Sequence, residues 1–244
     1  MGLQVTKVAS GYRQVPVIQD IEFDINAGEL VALVGLNGAG KSTLLKTILG
    51  LLPTQRGTIR LNGVTIQENH SAYASQIAYV PETPILYESL TLREHLELTA
   101  LGYGLEPAVV MERAQPLLNL FRLEKQLDWF PTHFSKGMKQ KVMIICAWVT
   151  DAKLLIIDEP FLGLDPIAIR EFKQLLQQRV QQGSAILLTT HVLSLVEDLA
   201  SSYLMMHAGR VVAQGDVAML RAHFGLPQAS LDDLYTAMAQ AEAR

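Results

Sequence analysis

A glycine-rich segment that ends in Lys-Ser-Thr is the part of the sequence with the most definite chemistry. It satisfies the pattern G-x-x-x-x-G-K-[ST], between a predicted strand (residues 30–34) and a predicted helix (residues 44–49). Its residues are Gly35, Leu36, Asn37, Gly38, Ala39, Gly40, Lys41, Ser42 and Thr43. Such a loop points backbone N–H groups at phosphate oxygens, and the helix dipole adds positive charge. We expect Lys41 to contact the β- and γ-phosphates of a nucleotide and the Ser42 hydroxyl to bind Mg²⁺. An ordinary Gly-rich turn is the weaker alternative.

Two adjacent acids form the second candidate group. Asp158 and Glu159 follow an apolar run predicted to be a strand (residues 154–157), and open α/β sheets bind ligands at the carboxyl ends of their strands. We expect Asp158 to hold Mg²⁺ through water, and Glu159 to orient and deprotonate an attacking water molecule. Their side chains should leave an extended backbone in different directions, so they need not titrate as a close pair. Solvated acids at a strand end are the alternative, which the phosphate loop makes less attractive.

The elements that must position these groups begin with β-structure. Residues 3–8 and 21–25 are predicted strands. Asn62-Gly63, between the strand-like runs 58–61 and 64–66, predicts a hairpin because both turn residues tolerate positive φ. The N-terminal part is therefore expected to be β-rich and partly antiparallel.

A helical insertion is predicted between the two groups of site residues. It begins near Ser89, where Thr91 and Glu94 have the spacing of a capping box, and it continues to about Thr150 without a convincing strand. Breaks between its helices are predicted at Gly102-Tyr103-Gly104, Pro131 and Gly137.

Strand signals return after the insertion. The continuous apolar runs at residues 154–157 and 185–188 are typical of a parallel sheet buried on both faces. Between them lies a predicted helix that Asp165 caps, Pro166 starts and Gly183 ends. A final hairpin around residues 208–210 and two short helices complete the prediction.

The composition excludes several classes of protein. Hydrophobic residues make up 49% of the 244 residues, which excludes disorder, and the single cysteine, Cys146, excludes a disulfide scaffold. The net charge is −4 and no Lys/Arg cluster is present, so a nucleic acid partner is not expected. The longest apolar run, residues 142–149, is far shorter than the roughly 18 residues that span a bilayer. We therefore expect a cytoplasmic protein without a membrane helix, in which Cys146 packs in the interior.

Together with further short motifs in the same order, these segments resemble the ATP-binding-cassette (ABC) ATPase family over nearly the whole chain. The motifs are Tyr12, the signature-like Phe134-Ser135-Lys136-Gly137-Met138, the loop Leu162-Gly163-Leu164-Asp165, and His191. The resemblance implies an α/β fold: a P-loop NTPase core with a mixed sheet, an N-terminal antiparallel β subdomain and an inserted α-helical subdomain. The corresponding ranges are 1–88 (core with the β subdomain), 89–150 (helical signature subdomain) and 151–244 (core continued, with C-terminal helices).

The resemblance also implies a role for each motif. Tyr12 would stack on adenine, and His191 would act as the switch histidine. The signature residues would bind the ATP of an opposite subunit, with Ser135 and Gly137 facing its γ-phosphate. Asp165 would contact that subunit. A surface tyrosine and a polar histidine at a strand end are the plainer interpretations of Tyr12 and His191 when each is taken alone.

Three residues depart from the family pattern. Glu82 replaces the usual glutamine between the core and the helical subdomain, where it still offers Mg²⁺ an oxygen but adds a charge. Lys136 and Met138 replace the first glycine and the glutamine of the signature, whereas Ser135 and Gly137 are kept. We expect slowed or retuned ATP hydrolysis; a protein that binds ATP but never releases phosphate would contradict this.

The leading functional hypothesis is an ATPase subunit that uses ATP and Mg²⁺, pairs with a second cassette in a homodimer, and powers an integral membrane transporter subunit. It would lie on the inner face of the cell membrane. Within the family, residues 79–84 and 135–141 most resemble one transporter type, whose ATPase has a separate membrane partner. The segment 82–90, with Pro84, Ile85, Leu86 and Tyr87 as exposed candidates, would couple the site to that partner; a plain loop is the alternative.

Two other hypotheses remain. A soluble single-cassette ATPase of assembly, such as iron–sulfur cluster assembly, would have the same site and no membrane partner. A nucleotide sensor without turnover is disfavoured because Glu159 and His191 are both present.

Overall fold

The structure is a computed structural model that describes residues 2–13 and 15–240. The strands are β1 (Gly2–Tyr12), β2 (Val15–Asn26), β3 (Leu30–Gly35), β4 (Thr54–Leu61), β5 (Ile77–Val80), β6 (Leu154–Asp158), β7 (Ala185–Thr189), β8 (Ser202–His207) and β9 (Arg210–Gly215). The helices are α1 (Lys41–Ile48), α2 (His70–Ala74), α3 (Leu92–Tyr103), α4 (Pro107–Phe121), α5 (Lys136–Trp148), α6 (Pro166–Gln181), α7 (Val217–Phe224) and α8 (Leu231–Gln240). Short 3-10 helices occupy Glu124–Gln126, Pro131–His133 and Leu193–Leu195.

Two sheets organise these elements. The smaller is antiparallel, with the strand order β2-β1-β4. The larger has the order β5-β6-β7-β3-β8-β9 and is parallel except for β9, which pairs antiparallel with β8. The fold is therefore the expected α/β arrangement of a mixed sheet with an antiparallel β part and a helical part.

The hydrophobic core lies on both faces of the larger sheet. Alternate side chains of a strand point to opposite faces, so Ala32 and Val34 of β3 pack with the helices α3–α6 and α8, whereas Val31 and Leu33 pack with α1 and the smaller sheet. Burial on both faces explains why β3, β6 and β7 are continuous apolar runs.

The helical insertion begins where the sequence predicts. Thr91 caps α3, and its side chain and that of Glu94 form the reciprocal bonds of a capping box. The predicted breaks are only partly right. Gly104 ends α3 in a left-handed conformation (φ 65°), but Gly102 lies inside that helix, and Gly137 lies in the first turn of α5 rather than before it. The start of α5 is set instead by Ser135, whose side chain accepts a hydrogen bond from Met138 N (3.2 Å).

The hairpin predicted at Asn62-Gly63 is wrong in its second arm. Both residues have positive φ, so the turn exists, but Val64 makes only an isolated bridge to Leu61. The chain then turns, because Thr65 and Glu68 bond to each other's backbone N–H, and β4 finds its partner in β1 instead. The C-terminal hairpin, between β8 and β9, is confirmed.

Among the described residues, no helix has both the length and the apolar character needed to cross a bilayer.

Candidate nucleotide site

A cavity of about 800 Å³ opens at the carboxyl ends of β3, β6 and β7. Parallel strands bring their carboxyl ends to one edge of a sheet, so segments far apart in sequence meet there. The lining residues are Val17, Gly35, Leu36, Asn37, Gly38, Gly40, Lys41, Ser42, Thr43, Glu82, Asp158, Glu159, His191 and Tyr235. The phosphate-loop residues and both acids therefore share one cavity, whose wall includes basic, acidic and hydroxyl groups.

The glycine-rich loop wraps from the end of β3 into the start of α1. Gly38 (φ 83°) and Gly40 (φ 103°) have left-handed backbones that favour glycine. A Cβ at Gly40 would also lie 2.8 Å from the Ile18 side chain. The Ala39 carbonyl accepts a hydrogen bond from Gly209 N (3.0 Å), which joins the loop to the β8–β9 turn. Ala39 itself is buried and does not line the cavity, so it supports the loop from behind.

Lys41 places its ammonium group inside this loop. Its Nζ donates hydrogen bonds to the carbonyl oxygens of Gly35 (2.6 Å) and Leu36 (3.3 Å). Burial lowers the pKa of Lys41, while the charges of nearby Glu159, Asp158 and Glu82 act in the opposite direction. A cation facing three acids from the phosphate loop suits a site that binds phosphates together with a divalent cation.

Thr189, at the end of β7, joins the two adjacent acids. Its hydroxyl donates to Asp158 Oδ1 (2.5 Å) and accepts from Glu159 N (3.0 Å). The extended backbone expected for both acids is found only up to Asp158, because Glu159 has a left-handed φ of 47°. The Glu159 N–H also bonds to the Thr189 carbonyl (3.2 Å), so the backbone of Glu159 remains attached to β7.

Glu159 and His191 form a close pair. Glu159 Oε1 lies 3.0 Å from His191 Nδ1, and Oε2 accepts a hydrogen bond from the His191 backbone N–H (3.3 Å). The Glu159 side chain is only 11% exposed, whereas that of His191 is 55% exposed. The Glu159 carboxylate is therefore buried and fixed by two contacts with His191, whereas the imidazole is exposed to solvent at the edge of the cavity.

Oxygen ligands for a divalent cation converge on the cavity from three elements. The Ser42 hydroxyl comes from α1, Asp158 from β6, and Glu82 from the segment after β5. Burial raises the pKa of Asp158, and the charge of Glu82 adds to this effect. No cluster of three or more His, Cys, Asp and Glu side chains suited to a metal occurs in the described part of the chain. This donor set fits Mg²⁺, which proteins bind through one or two carboxylates together with substrate phosphates.

The signature-like residues lie elsewhere on the molecule. None of Ser135, Lys136, Gly137 and Met138 is among the described residues that line the cavity. Gly137 lies close to the loop at residues 162–165, because a Cβ on it would come within 2.4 Å of the Gly163 carbonyl. Lys141 Nζ also bonds to Asp165 Oδ2 (3.1 Å). The start of α5 and the Asp165 loop therefore form one surface, separate from the cavity.

Tyr12 ends β1 with its side chain 47% exposed and is not among the described lining residues. Val17, on the paired strand, lines the cavity instead, and sequence reasoning missed it. Tyr235 was missed as well: it reaches the cavity from α8, and the charge of Glu159 contributes to raising its pKa, after burial. No sequence signal points to Tyr235. A polar residue ending an apolar run was an available signal for Thr189.

Comparisons with known proteins agree with this geometry. The model of the family described as ABC transporter matches residues 18–162. The ABC-type transporter ATP-binding protein EcsA of Bacillus subtilis (strain 168) is 48% identical, over 99% of this chain and 98% of that protein. The uncharacterized ABC transporter ATP-binding protein YthP of the same strain is 38% identical, over 93% and 91%.

A solved structure described as the ATP binding subunit of an ABC transporter has a TM-score of 0.95 and 49% identity, and the match covers 98% of this chain and 100% of that one. The narrower resemblance that rests on residues 79–84 and 135–141 is to the Ecs-type subunit, and the identity to EcsA confirms it. The chain therefore belongs to the ABC transporter family and is one of its ATP-binding ATPases.

Proposed function

We propose that this protein powers a separate membrane transporter subunit by pairing with a second copy of itself around two ATP·Mg²⁺. The main support is that the motifs lie at two separate places on the molecule. The cavity collects Lys41, Asp158, Glu159 and His191, whereas the signature-like start of α5 lies outside it. A signature that does not face its own cavity is useful when it faces the cavity of another subunit.

Within each site, the chain's residues divide the work. The phosphate loop and Lys41 bind the β- and γ-phosphates, and Tyr12 stacks on adenine. Glu159 orients the attacking water and takes its proton, while His191, bonded to both Glu159 oxygens, holds that carboxylate in place. Ser42, Asp158 and Glu82 would hold Mg²⁺, which supplies charge neutralisation at the phosphates.

The opposite subunit completes the site. Ser135 and Gly137 present a helix N-terminus to the γ-phosphate, with Lys136 and Met138 beside them, and Asp165 contacts the partner. The helical part at residues 89–150 carries the signature, and residues 1–88 and 151–244 form the core. A homodimer is the simplest assembly because one chain contains every motif.

The segment after Glu82 supports coupling to a membrane subunit. Ile85 and Tyr87 are 74% and 63% exposed, whereas Pro84 and Leu86, also expected to be exposed, are half-buried. The segment is anchored from below: the Tyr87 N–H donates to His95 Nε2 (2.9 Å), and His95 Nδ1 bonds to the Thr91 carbonyl (2.7 Å). An apolar surface that follows Glu82 suits a partner that senses the nucleotide state, which supports a location on the inner face of the membrane.

A soluble ATPase of assembly is the second candidate. It would use the same site but leave the apolar surface around Tyr87 without a membrane partner. Cell fractionation distinguishes the two: a transporter subunit sediments with membranes and is released by detergent, whereas an assembly ATPase stays in the soluble fraction.

The dimer is tested with Glu159→Gln. This variant can keep the hydrogen bond from the His191 backbone N–H but removes the base, so ATP·Mg²⁺ should trap a dimer that size-exclusion chromatography resolves from the monomer. Glu112→Gln, on the exposed face of α4, is the matched control and should behave as the wild type. A Glu159→Gln protein that binds ATP yet stays monomeric would contradict the shared site.

A further inference from the structure

We propose that Thr189 is a positioning residue of the ATPase site, whose single hydroxyl fixes the side chain of Asp158 and the backbone of Glu159 relative to each other. The inference rests on the proposed roles of those two acids, as metal ligand and as base.

The geometry uses the hydroxyl in both of its capacities. As a donor it contacts Asp158 Oδ1 at 2.5 Å, and as an acceptor it receives the Glu159 N–H at 3.0 Å. Asp158 and Thr189 are directly paired in the β6–β7 ladder, so the backbone already holds the hydroxyl opposite the two acids. One hydroxyl group therefore connects the end of β7 to both acids at the end of β6.

Thr189 acts from behind the site. Its side chain is completely buried, and it is not among the described residues that line the cavity. A nucleotide in the cavity would therefore meet Asp158 and Glu159 but not Thr189. Any effect of this residue on turnover must pass through the acids.

The local backbone explains why such a contact is needed. Glu159 holds a left-handed φ of 47°, which costs a non-glycine residue free energy and persists only where neighbours enforce it. The Thr189 carbonyl also accepts the Glu159 N–H (3.2 Å), so the turn itself does not depend on the hydroxyl alone. Asp158 Oδ1, in contrast, has no other hydrogen-bond donor within the described structure, so loss of the hydroxyl frees that carboxylate.

Thr189→Val removes the hydroxyl and keeps the shape. Thr150→Val is the matched control, because Thr150 is also buried and its hydroxyl also donates one hydrogen bond, here to the Ala147 carbonyl (2.7 Å), and accepts one, from Ala152 N (3.4 Å), away from the cavity. Thr189→Ser tests rescue, because serine restores the hydroxyl. Three quantities are measured for each variant. They are kcat and KM for ATP, the thermal unfolding midpoint, and the affinity for Mn²⁺ in the presence of a non-hydrolysable ATP analogue. Electron paramagnetic resonance measures the Mn²⁺ affinity.

Thr189→Val should lower kcat by about tenfold or more, the usual effect of removing a group that orients a metal ligand, and should weaken Mn²⁺ binding. The KM for ATP should change less than kcat, and Thr189→Ser should recover most of the loss. Thr150→Val should lower the unfolding midpoint about as much as Thr189→Val does, without the loss of kcat.

Equal kcat values for Thr189→Val and Thr150→Val would overturn the inference, and so would a Thr189→Ser protein as impaired as Thr189→Val. Failure of the proposed function is a separate result, because Glu159→Gln would then bind ATP·Mg²⁺ yet stay monomeric, whatever the Thr189 variants do.

Discussion

At the scale of single residues, the carboxylate of Asp158 lowers the stability of the fold but is required by the proposed metal site. Burial raises its pKa, which means that its ionised form is disfavoured in the folded protein without a cation. An acid with a raised folded pKa lowers stability once the pH rises above its unfolded pKa, and the full penalty applies above the folded pKa. The binding of a cation would offset that loss of stability, because the cation stabilises the ionised carboxylate.

We therefore expect Asp158→Asn to raise the unfolding midpoint in EDTA at pH 7, because the neutral amide avoids burial of a charge and still accepts the Thr189 hydrogen bond. The difference should shrink as the pH falls towards the unfolded pKa of an aspartate, because the raised pKa of Asp158 leaves its carboxyl protonated in the folded protein before that point. The variant should also lose the stabilisation that Mg²⁺ with a nucleotide confers. Differential scanning fluorimetry measures all three effects. Asp24→Asn, at an exposed strand residue, is the control. A lower unfolding midpoint for Asp158→Asn than for the wild type at pH 7 would show that the Asp158 carboxylate stabilises the fold, which contradicts the prediction.

At the scale of elements, Asp165 both caps the N-terminus of α6 and bonds to α5. Asp165 Oδ1 accepts from Ile167 N (3.1 Å) and Ala168 N (2.9 Å), and Oδ2 accepts from Lys141 of α5. These bonds, that of Ala168 foremost, lower the pKa of Asp165. Asp216 caps α7 in a similar way, through Met219 N (2.8 Å), but lies in a different part of the fold. The two caps therefore separate a helix effect from a dimer effect.

Asp165→Ala and Asp216→Ala should each reduce stability by about 0.5–2 kcal/mol, the usual cost of losing an N-cap. In a chain of this length this corresponds to a midpoint lower by roughly 2–4 °C for each kcal/mol. Only Asp165→Ala should also weaken the ATP-dependent dimer formed by Glu159→Gln, which analytical ultracentrifugation measures. Equal dimerisation in the two double variants would reduce Asp165 to a helix cap.

The segment at residues 82–90 is the proposed contact with the membrane subunit, and Tyr87 is its exposed aromatic side chain. Tyr87→Asp should abolish transport by the complete transporter in vesicles while basal ATPase activity stays within about twofold, because the backbone anchor at His95 remains and only the apolar side chain is lost. Val109→Asp, a similar change on exposed α4, should leave transport intact. Equal losses of transport and basal activity in Tyr87→Asp would place Tyr87 in the hydrolytic machinery instead.

At the scale of the whole molecule, the proposed dimer would join the cavity of one copy to the signature-like start of α5 of the other. The cavity residues lie at the carboxyl edge of the larger sheet, whereas Ser135 and Gly137 lie at the start of α5, against the loop at residues 162–165. Head-to-tail pairing of two copies related by a two-fold axis would create two identical complete sites.

This arrangement predicts complementation between inactive variants. Lys41→Ala disables the cavity and Ser135→Arg blocks the signature surface, so each alone should be inactive. In an equal mixture, half of the dimers are mixed and contain one intact site, so ATPase activity should return to about a quarter of the wild-type value. Phosphate release after subunit exchange measures it. A mixture as inactive as its components would argue against a shared site.

Much of this protein could be predicted from the sequence because the relevant interactions are local. The phosphate loop, the capping box at Thr91 and Glu94, and the cap at Asp165 each depend on residues a few positions apart, so residue types alone determine them. The buried strands likewise show as apolar runs, because both faces of their sheet are covered.

Other features depended on contacts between distant parts of the chain, which no local pattern records. Tyr235 and Val17, for example, joined the cavity only through the packing of α8 and β2. Thr189 is a further example, since its importance lies in two bonds across about thirty residues of sequence. Local chemistry thus determined which groups could bind phosphate, and the pairing of strands decided which neighbours hold those groups in place.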